Sequence, residues 1–373
     1  MTRLGHTLIV GWACVGLTLP LPANPSESWV WTLPPGVSPP RVPADNPMTM
    51  PKAELGRHLF YDTRLSGNGT QSCASCHLQQ LAFTDGLARA VGSTGEVHPR
   101  SSMSLANVAY NSTLTWADPD LRSLEEQQLG PMFGTDPVEL GLAGRERELL
   151  ARLRDSAVYP ALFAEAFPED ENPFTIQRVL DAIATFERTL VSFDSPYDQY
   201  LRRGRRGSLG KAERLGEELF FSVRMGCADC HGGPFFTNAI NHIGQDGSVE
   251  EFFNTGLYDL DGAGQYPEPN TGVHASTGDP ADMGRFRAPT LRNIAVTAPY
   301  MHDGSIATLD DVLTTHYMPG GRTDSPLRSD LMVRFGLSPQ ERAAVIAFLE
   351  SLTDETFLTN PQFSDPWPDY AAR

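Results

Sequence analysis

The chain has 373 residues, long enough for two compact cores, and carries a formal net charge of −17. That acidity excludes a nucleic-acid binder, which needs a basic surface; it suits a solvated acidic exterior or attraction to a basic partner. Of the five cysteines, four fall in two Cys-x-x-Cys-His pentads, which excludes a disulfide framework.

Before residue 24 the only charged side chain is Arg3, and an apolar run from Leu8 to Leu21 is followed by Pro22-Ala23-Asn24. This is the pattern of a secretory signal peptide, residues 1–23, and implies export to the periplasm. Cys14 lies inside the run and leaves with it; as a lipid anchor it is disfavoured, because Trp12 stands where a small residue is expected. No later stretch has eighteen uninterrupted apolar residues, so no membrane span is expected.

Residues 24–50 read as an extended arm, since Leu33-Pro34-Pro35-Gly36-Val37-Ser38-Pro39-Pro40 disfavours helix and strand alike. A helix is expected from Pro51 to Phe60. Within it, Leu55-Gly56-x-x-Leu59-Phe60-Tyr61 recurs as Leu215-Gly216-x-x-Leu219-Phe220-Phe221, and each copy precedes one pentad. Farther on, Ala182–Glu187 resembles Val345–Glu350, both with helical apolar spacing. Amphipathic helices share Leu, Ala and Glu through propensity alone, but four matching elements in one order outweigh that account. The expectation is a mainly α chain of two cytochrome c-like haem domains related by internal duplication, 51–204 and 205–355, with long ordered loops such as 259–284. The halves meet at a basic hinge around Tyr200–Ser208, and residues 356–373 form a tail.

The pentads are Cys73-Ala74-Ser75-Cys76-His77 and Cys227-Ala228-Asp229-Cys230-His231. In such a pentad the thiols add to haem vinyl groups and the adjacent imidazole is carried under the iron, so two covalently bound c-type haems are implied. Zinc would need further Cys or His ligands, and a redox dithiol expects a βαβ context in a reducing compartment. What fills the sixth position of each iron decides function, and composition does not assign it.

Several further stretches carry a resemblance that covers nearly all of the mature chain. They are Leu65–Cys73, Phe83-Thr84-Asp85-Gly86, Leu124–Pro131, Arg287–Asn293 and Pro299-Tyr300-Met301-His302-Asp303-Gly304. Together they resemble the bacterial dihaem cytochrome c peroxidases and MauG. Phe253–Tyr258 and Asp282–Arg287 look most like the MauG-like branch that includes MbnH.

The resemblance implies an open distal side at the haem on His77, in a pocket of Gln127, Pro131 and Glu139. Glu139 would shuttle a proton between peroxide oxygens, with Glu126 as the fallback. It implies a six-coordinate haem on His231, whose second ligand falls in Thr315-His316-Tyr317-Met318; Tyr317 is the choice, with His316 and Met318 as alternatives. A phenolate would stabilise high-valent iron, whereas a thioether favours the reduced state. Trp116 would relay charge between the irons, and Asn107, Thr297 and Pro299 would hold a calcium ion between the haems. His98 lies where the peroxidases carry a removable distal histidine, although an exposed loop position is the plainer expectation.

The leading expectation is therefore a MauG-like enzyme. Hydrogen peroxide would oxidise the haem on His77, the equivalents would be held at both irons in a bis-ferryl-like state, and a side chain of a periplasmic partner protein, tryptophan by the MbnH resemblance, would be oxidised at long range. The alternative is a cytochrome c peroxidase drawing electrons from a small cytochrome, and the third reading is a dihaem electron carrier.

Overall fold

Thr49 accepts the backbone N–H of Lys52, and Pro51 sits in the first turn, where a missing N–H costs nothing. A helix accordingly starts there and runs Met50–Phe60, as expected from Pro51. The structure, a computed structural model, describes residues 29–241 and 251–367; the signal-peptide reading, Cys14 and the last tail residues lie outside the described residues. The fold is mostly helical, and regular strand among the described residues is limited to Phe252–Phe253 paired antiparallel with Phe286–Arg287.

Two helix pairs organise the chain. Met50–Phe60 crosses Ile176–Arg188 with Leu55, Leu59 and Phe60 buried, and Gly56 lies against the Ala182 carbonyl and the Phe186 Cβ. Lys211–Phe220 crosses Pro339–Glu350 in the same way, with Gly216 against the Ala344 carbonyl and the Phe348 Cβ. The ring contacts match as well, Phe60–Phe186 at 5.2 Å and Phe220–Phe348 at 5.3 Å. Superposing the crossings sets Ala182 on Ala344 and Phe186 on Phe348. That is one residue away from the register read in sequence, where successive apolar residues of two amphipathic helices align almost equally well; the glycine contact decides it.

Each crossing seeds its own apolar core. After residue 355 the chain returns to the first core: Phe357 and Phe363 are buried there, and the Tyr61 hydroxyl donates to the Phe363 carbonyl at 2.7 Å. The arm packs without regular helix or strand up to residue 49, with the Tyr110 hydroxyl on the Ser38 carbonyl and Arg202 on the Pro35 carbonyl. Two buried forks tie distant segments, Arg188 to Glu125 at 2.8 Å through both nitrogens and Arg292 to Asp198 at 2.7 and 2.9 Å. Bidentate geometry satisfies the carboxylates, without which burial of these charges would cost several kcal/mol each (order of magnitude).

The stretch from Asp259 to Gly284 contains only two short helical turns, His274–Thr277 and Pro280–Asp282. It is ordered by individual hydrogen bonds, among them Gly284 N–H to the Thr271 carbonyl and the Asn254 amide to the Met283 carbonyl.

A Cβ at Gly56 or Gly216 would fall inside the van der Waals radius of a main-chain oxygen. Gly56→Ala and Gly216→Ala are each expected to lose about 1–3 kcal/mol or more in chemical denaturation. Gly130→Ala, at a helical glycine with open space around it, should be neutral or stabilising.

Candidate functional site

Cys73–Cys76 form one helical turn, capped reciprocally by Ser72 and Ser75, which delivers His77 at its end. The imidazole Nδ1–H donates to the Phe83 carbonyl at 2.7 Å. Phe83 sits at φ 63 and is fully buried against Phe60. The second pentad repeats the device: His231 Nδ1–H is shared between the carbonyls of Phe236, at 3.2 Å, and Pro289, at 3.1 Å. Phe236, at φ 53, packs on Phe220. The sequence signal was present as Phe83-Thr84-Asp85 and Phe236-Thr237-Asn238, each a few residues beyond its pentad, but its second copy was missed.

With Nδ1 spent on a carbonyl, Nε2 carries the lone pair of each neutral imidazole. Burial keeps both rings neutral, lowering His77 and taking His231 to about 4. Burial pushes the thiols the other way, Cys76 and Cys227 to about 12 and Cys73 higher still, and the four cysteines form no disulfide. A reactive dithiol needs lowered thiol values, so that rival does not fit. A zinc site does not fit either, because the described residues gather no group of three or more His, Cys, Asp or Glu. What fits is a haem joined through Cys73 and Cys76 with His77 beneath it, and another through Cys227 and Cys230 with His231 beneath it. Around the second pentad a largely apolar cavity leaves about 1440 Å³ free of protein atoms, part of it open to solvent.

The surroundings of the two pentads differ. On the first side, Leu140 N–H donates to the Pro131 carbonyl and Leu142 N–H to the Met132 carbonyl, which straps the Glu139 segment to the turn Leu129–Phe133. Glu139 and Pro131 are thereby brought together. Glu139 is half-buried, burial raises its carboxyl, and its charge acts on both Cys73 and Cys76. Gln127 ends the helix Leu124–Gln127 and is half-buried, whereas the fallback Glu126 is exposed. His98 is not simply a loop residue. Its Nδ1 accepts the Arg100 N–H at 3.1 Å, leaving the proton on Nε2, which lies 3.7 Å from Glu139 Oε1.

On the second side, Tyr317 closes a π-helical turn, Val312–Tyr317, and borders the cavity with Cys227, Cys230 and His231. Such turns recur at functional sites because the extra residue re-aims a side chain. Burial raises the Tyr317 phenol. Neither His316 nor Met318 is among the cavity's lining residues; His316 is fully buried, edge-on to Tyr317 at 4.9 Å. Trp116 reaches this cavity from the first half of the sequence, held by Nε1–H on the Ser101 carbonyl and by Arg287 N–H on its own carbonyl.

Asn107 is held by main-chain groups of the segment after the helix Ile176–Arg188. Its amide pairs with both main-chain groups of Ser192, and its N–H donates to the Leu190 carbonyl. Asn293 pairs likewise, its N–H on the Leu352 carbonyl and its Oδ1 on the Asp354 N–H. Both take left-handed backbone, at φ 60 and 62, so Asn107 clamps the end of one long helix as Asn293 clamps the other. Thr297 donates its hydroxyl to the Ile294 carbonyl. Asn107 Oδ1 already accepts the Ser192 N–H, and the calcium ion that the resemblance implies at Asn107, Thr297 and Pro299 has no part in the chemistry proposed for the haem sites.

A sequence profile of the di-haem cytochrome c peroxidases matches residues 50–206. Cytochrome-c peroxidase IdrP1 of Denitromonas iodatirespirans is 35% identical, over 87% of this chain and 86% of that protein. Methylamine utilization protein MauG of Methylorubrum extorquens is also 35% identical, over 86% and 83%. Among solved structures, a MauG-like protein associated with microbial copper homeostasis superposes with a TM-score of 0.88 at 49% identity, covering 91% of this chain and 99% of its own.

Intact mass of the matured protein under denaturing conditions should carry two haem additions. Cys227→Ala with Cys230→Ala should leave one, and Cys73→Ala with Cys76→Ala should leave the other.

Proposed function

We propose, for a chain that belongs to the di-haem cytochrome c peroxidase family together with MauG, that peroxide is used to oxidise a side chain of a periplasmic partner protein. Members of this family are haem-dependent oxidoreductases that use hydrogen peroxide, and this chain is one of them. The observation that carries the finer reading is Tyr317 facing the cavity of His231, with Met318 outside the lining. A phenolate opposite an imidazole favours oxidised iron, which suits storage of oxidising equivalents rather than rapid passage of electrons from a small cytochrome. Tryptophan is the target side chain that the MbnH resemblance implies.

Bound haem supplies the site where peroxide is reduced by two electrons. The residues do the rest. Cys73, Cys76, Cys227 and Cys230 fix position covalently, while Phe83, Phe236 and Pro289 carbonyls orient the imidazoles. Glu139 would move a proton from one peroxide oxygen to the other. Pro131 and Gln127 would shape the pocket beside it, and Trp116, which borders the cavity of His231, would carry charge between the two sites. The domains 51–204 and 205–355 act as two copies of one unit. That reading is supported by the paired glycine crossings, the left-handed Phe carbonyls and the Asn clamps. Export by residues 1–23 would place the enzyme beside its partner.

A cytochrome c peroxidase is the second reading, favoured by the relatives of that name. It needs Met318 on the second iron. Peroxide-dependent oxidation of reduced cytochrome c, lost in Met318→Ala and kept in Tyr317→Phe, would support it. Under the leading reading, partner protein treated with peroxide and this enzyme gains an oxidative mass change that Tyr317→Phe abolishes. An unchanged partner mass overturns it.

Glu139 must be ionised to accept a proton, and burial raises its carboxyl above the ordinary 4.5. The peroxide rate constant should therefore rise with pH through a midpoint above that value. Glu139→Gln should lose the dependence and about 10²–10⁴ of the rate.

A further inference from the structure

Beside the second cavity lies a chain of rings that the reaction described so far does not use. Tyr266, 1% exposed, borders the cavity together with Phe286 and His302. Phe286 and His302 stack at 3.7 Å with 9° between their planes, and Tyr266 packs on both, at 6.0 and 6.4 Å. From there Tyr258 stands edge-on to Tyr266 at 5.6 Å and is only half-buried. Its hydroxyl donates to Asp303 Oδ2 at 2.5 Å, the length of a charge-assisted bond. Asp303 Oδ1 accepts the Ser305 N–H, a neutral donor.

A phenol that loses an electron becomes a strong acid, so where its proton can go decides where an oxidising equivalent rests. Tyr266 donates to the Asn254 amide oxygen at 3.0 Å, and Tyr300, also on the cavity, donates to the Ile294 carbonyl. Neither acceptor is a base. Tyr258 has a carboxylate already in place.

We propose that Tyr258, with Asp303 as its proton acceptor, is a one-electron relay between the second haem cavity and the protein surface, reached through Tyr266. The relay rests on the proposed function, because hydrogen peroxide is its oxidant. Tyr258 gives one electron through Tyr266 to the peroxide-oxidised site in the cavity. Its phenolic proton moves along the existing hydrogen bond, leaving a neutral tyrosyl radical and a neutral Asp303 carboxyl. An electron from the partner side chain and the proton from Asp303 then restore the phenol. Two such turns match one peroxide, which takes the two electrons, and two protons from solvent that replace those the oxidised partner side chain releases, to become two waters.

The chain has another tyrosine–aspartate pair, Tyr159 on Asp62 at 2.5 Å, and it serves as the control. There the carboxylate is also held by the Arg64 guanidinium, at 2.8 and 2.9 Å, and Tyr159 is fully buried in the first core, away from both the second cavity and the surface.

The test is electron paramagnetic resonance of the dihaem protein, frozen after addition of hydrogen peroxide without partner, with ring-deuterated tyrosine to identify the signal. A tyrosyl radical is expected in the wild type. It should be lost in Tyr258→Phe and in Asp303→Asn, and kept in Tyr159→Phe, with haem content measured on every variant. Spin-trap adducts mapped by mass spectrometry on the wild type should fall on the peptide carrying Tyr258, which tests the relay even if a variant does not mature. A tyrosyl signal that survives Tyr258→Phe, a trap adduct confined to other residues, or an optical change of the haems without any tyrosyl radical overturns the relay alone. No optical change with peroxide overturns the proposed function, and the relay with it.

Discussion

The imidazoles of His77 and His231 are buried and neutral, and each gives its Nδ1–H to a main-chain carbonyl held in an unusual place. Phe83 and Phe236 adopt left-handed backbone, which costs a non-glycine residue on the order of 1 kcal/mol, and both rings are locked by burial against Phe60 and Phe220. Those two phenylalanines sit on the helices whose glycines permit the close crossings. Helix packing therefore fixes the ring, the ring fixes the carbonyl, and the carbonyl fixes which imidazole nitrogen is free to bind iron. The thiols follow, since each Cys-x-x-Cys turn precedes its histidine without a break.

From that common frame the two sides diverge through loops, where the backbone is not committed to a ladder and side chains can be re-aimed. The first side places a half-buried carboxylate and a histidine at its edge; the second places a phenol and a set of aromatic rings around an apolar cavity. An ionisable group next to water can trade protons with solvent, whereas an apolar enclosure disfavours charge and favours electron movement between rings. The proposed proton chemistry and electron storage would thus be separated in space by polarity.

How much of this the sequence carried depended on whether the information was local. The helix from Met50 was readable in Thr49 and Pro51, and the pentads in their spacing. The register of the second helix pair slipped by one, because amphipathic periodicity repeats a face without naming the residue that touches Gly216. The clamp made by Asn107 has no local signature. Its partners Leu190 and Ser192 lie more than eighty residues away, and its twin Asn293 shares with it only a short Leu-x-Asn pattern. Glu139 and Tyr317 came from resemblance too: an isolated glutamate or tyrosine has no pattern of its own, and only folding shows which faces a cavity.

Stability and reactivity make opposite demands on the loop between Asp259 and Gly284. A relay needs aromatic rings close together and near the surface, yet a stretch with almost no helix or strand has little to hold them. The structure resolves this with bonds to neighbours of fixed position. Gly284 comes so close under the Tyr266 ring that any side chain there would collide with it, and the Tyr266 hydroxyl is held both by Asn254 and by the Leu257 N–H. Asn254 in turn binds the Met283 carbonyl and the Gly256 N–H. The ring is thus anchored at its edge and at its hydroxyl by groups that cannot accept its proton as a base would. Rigidity at Tyr266 and proton release at Tyr258 then follow from one arrangement: the inner phenol is fixed by amides, and the outer one is left to a carboxylate.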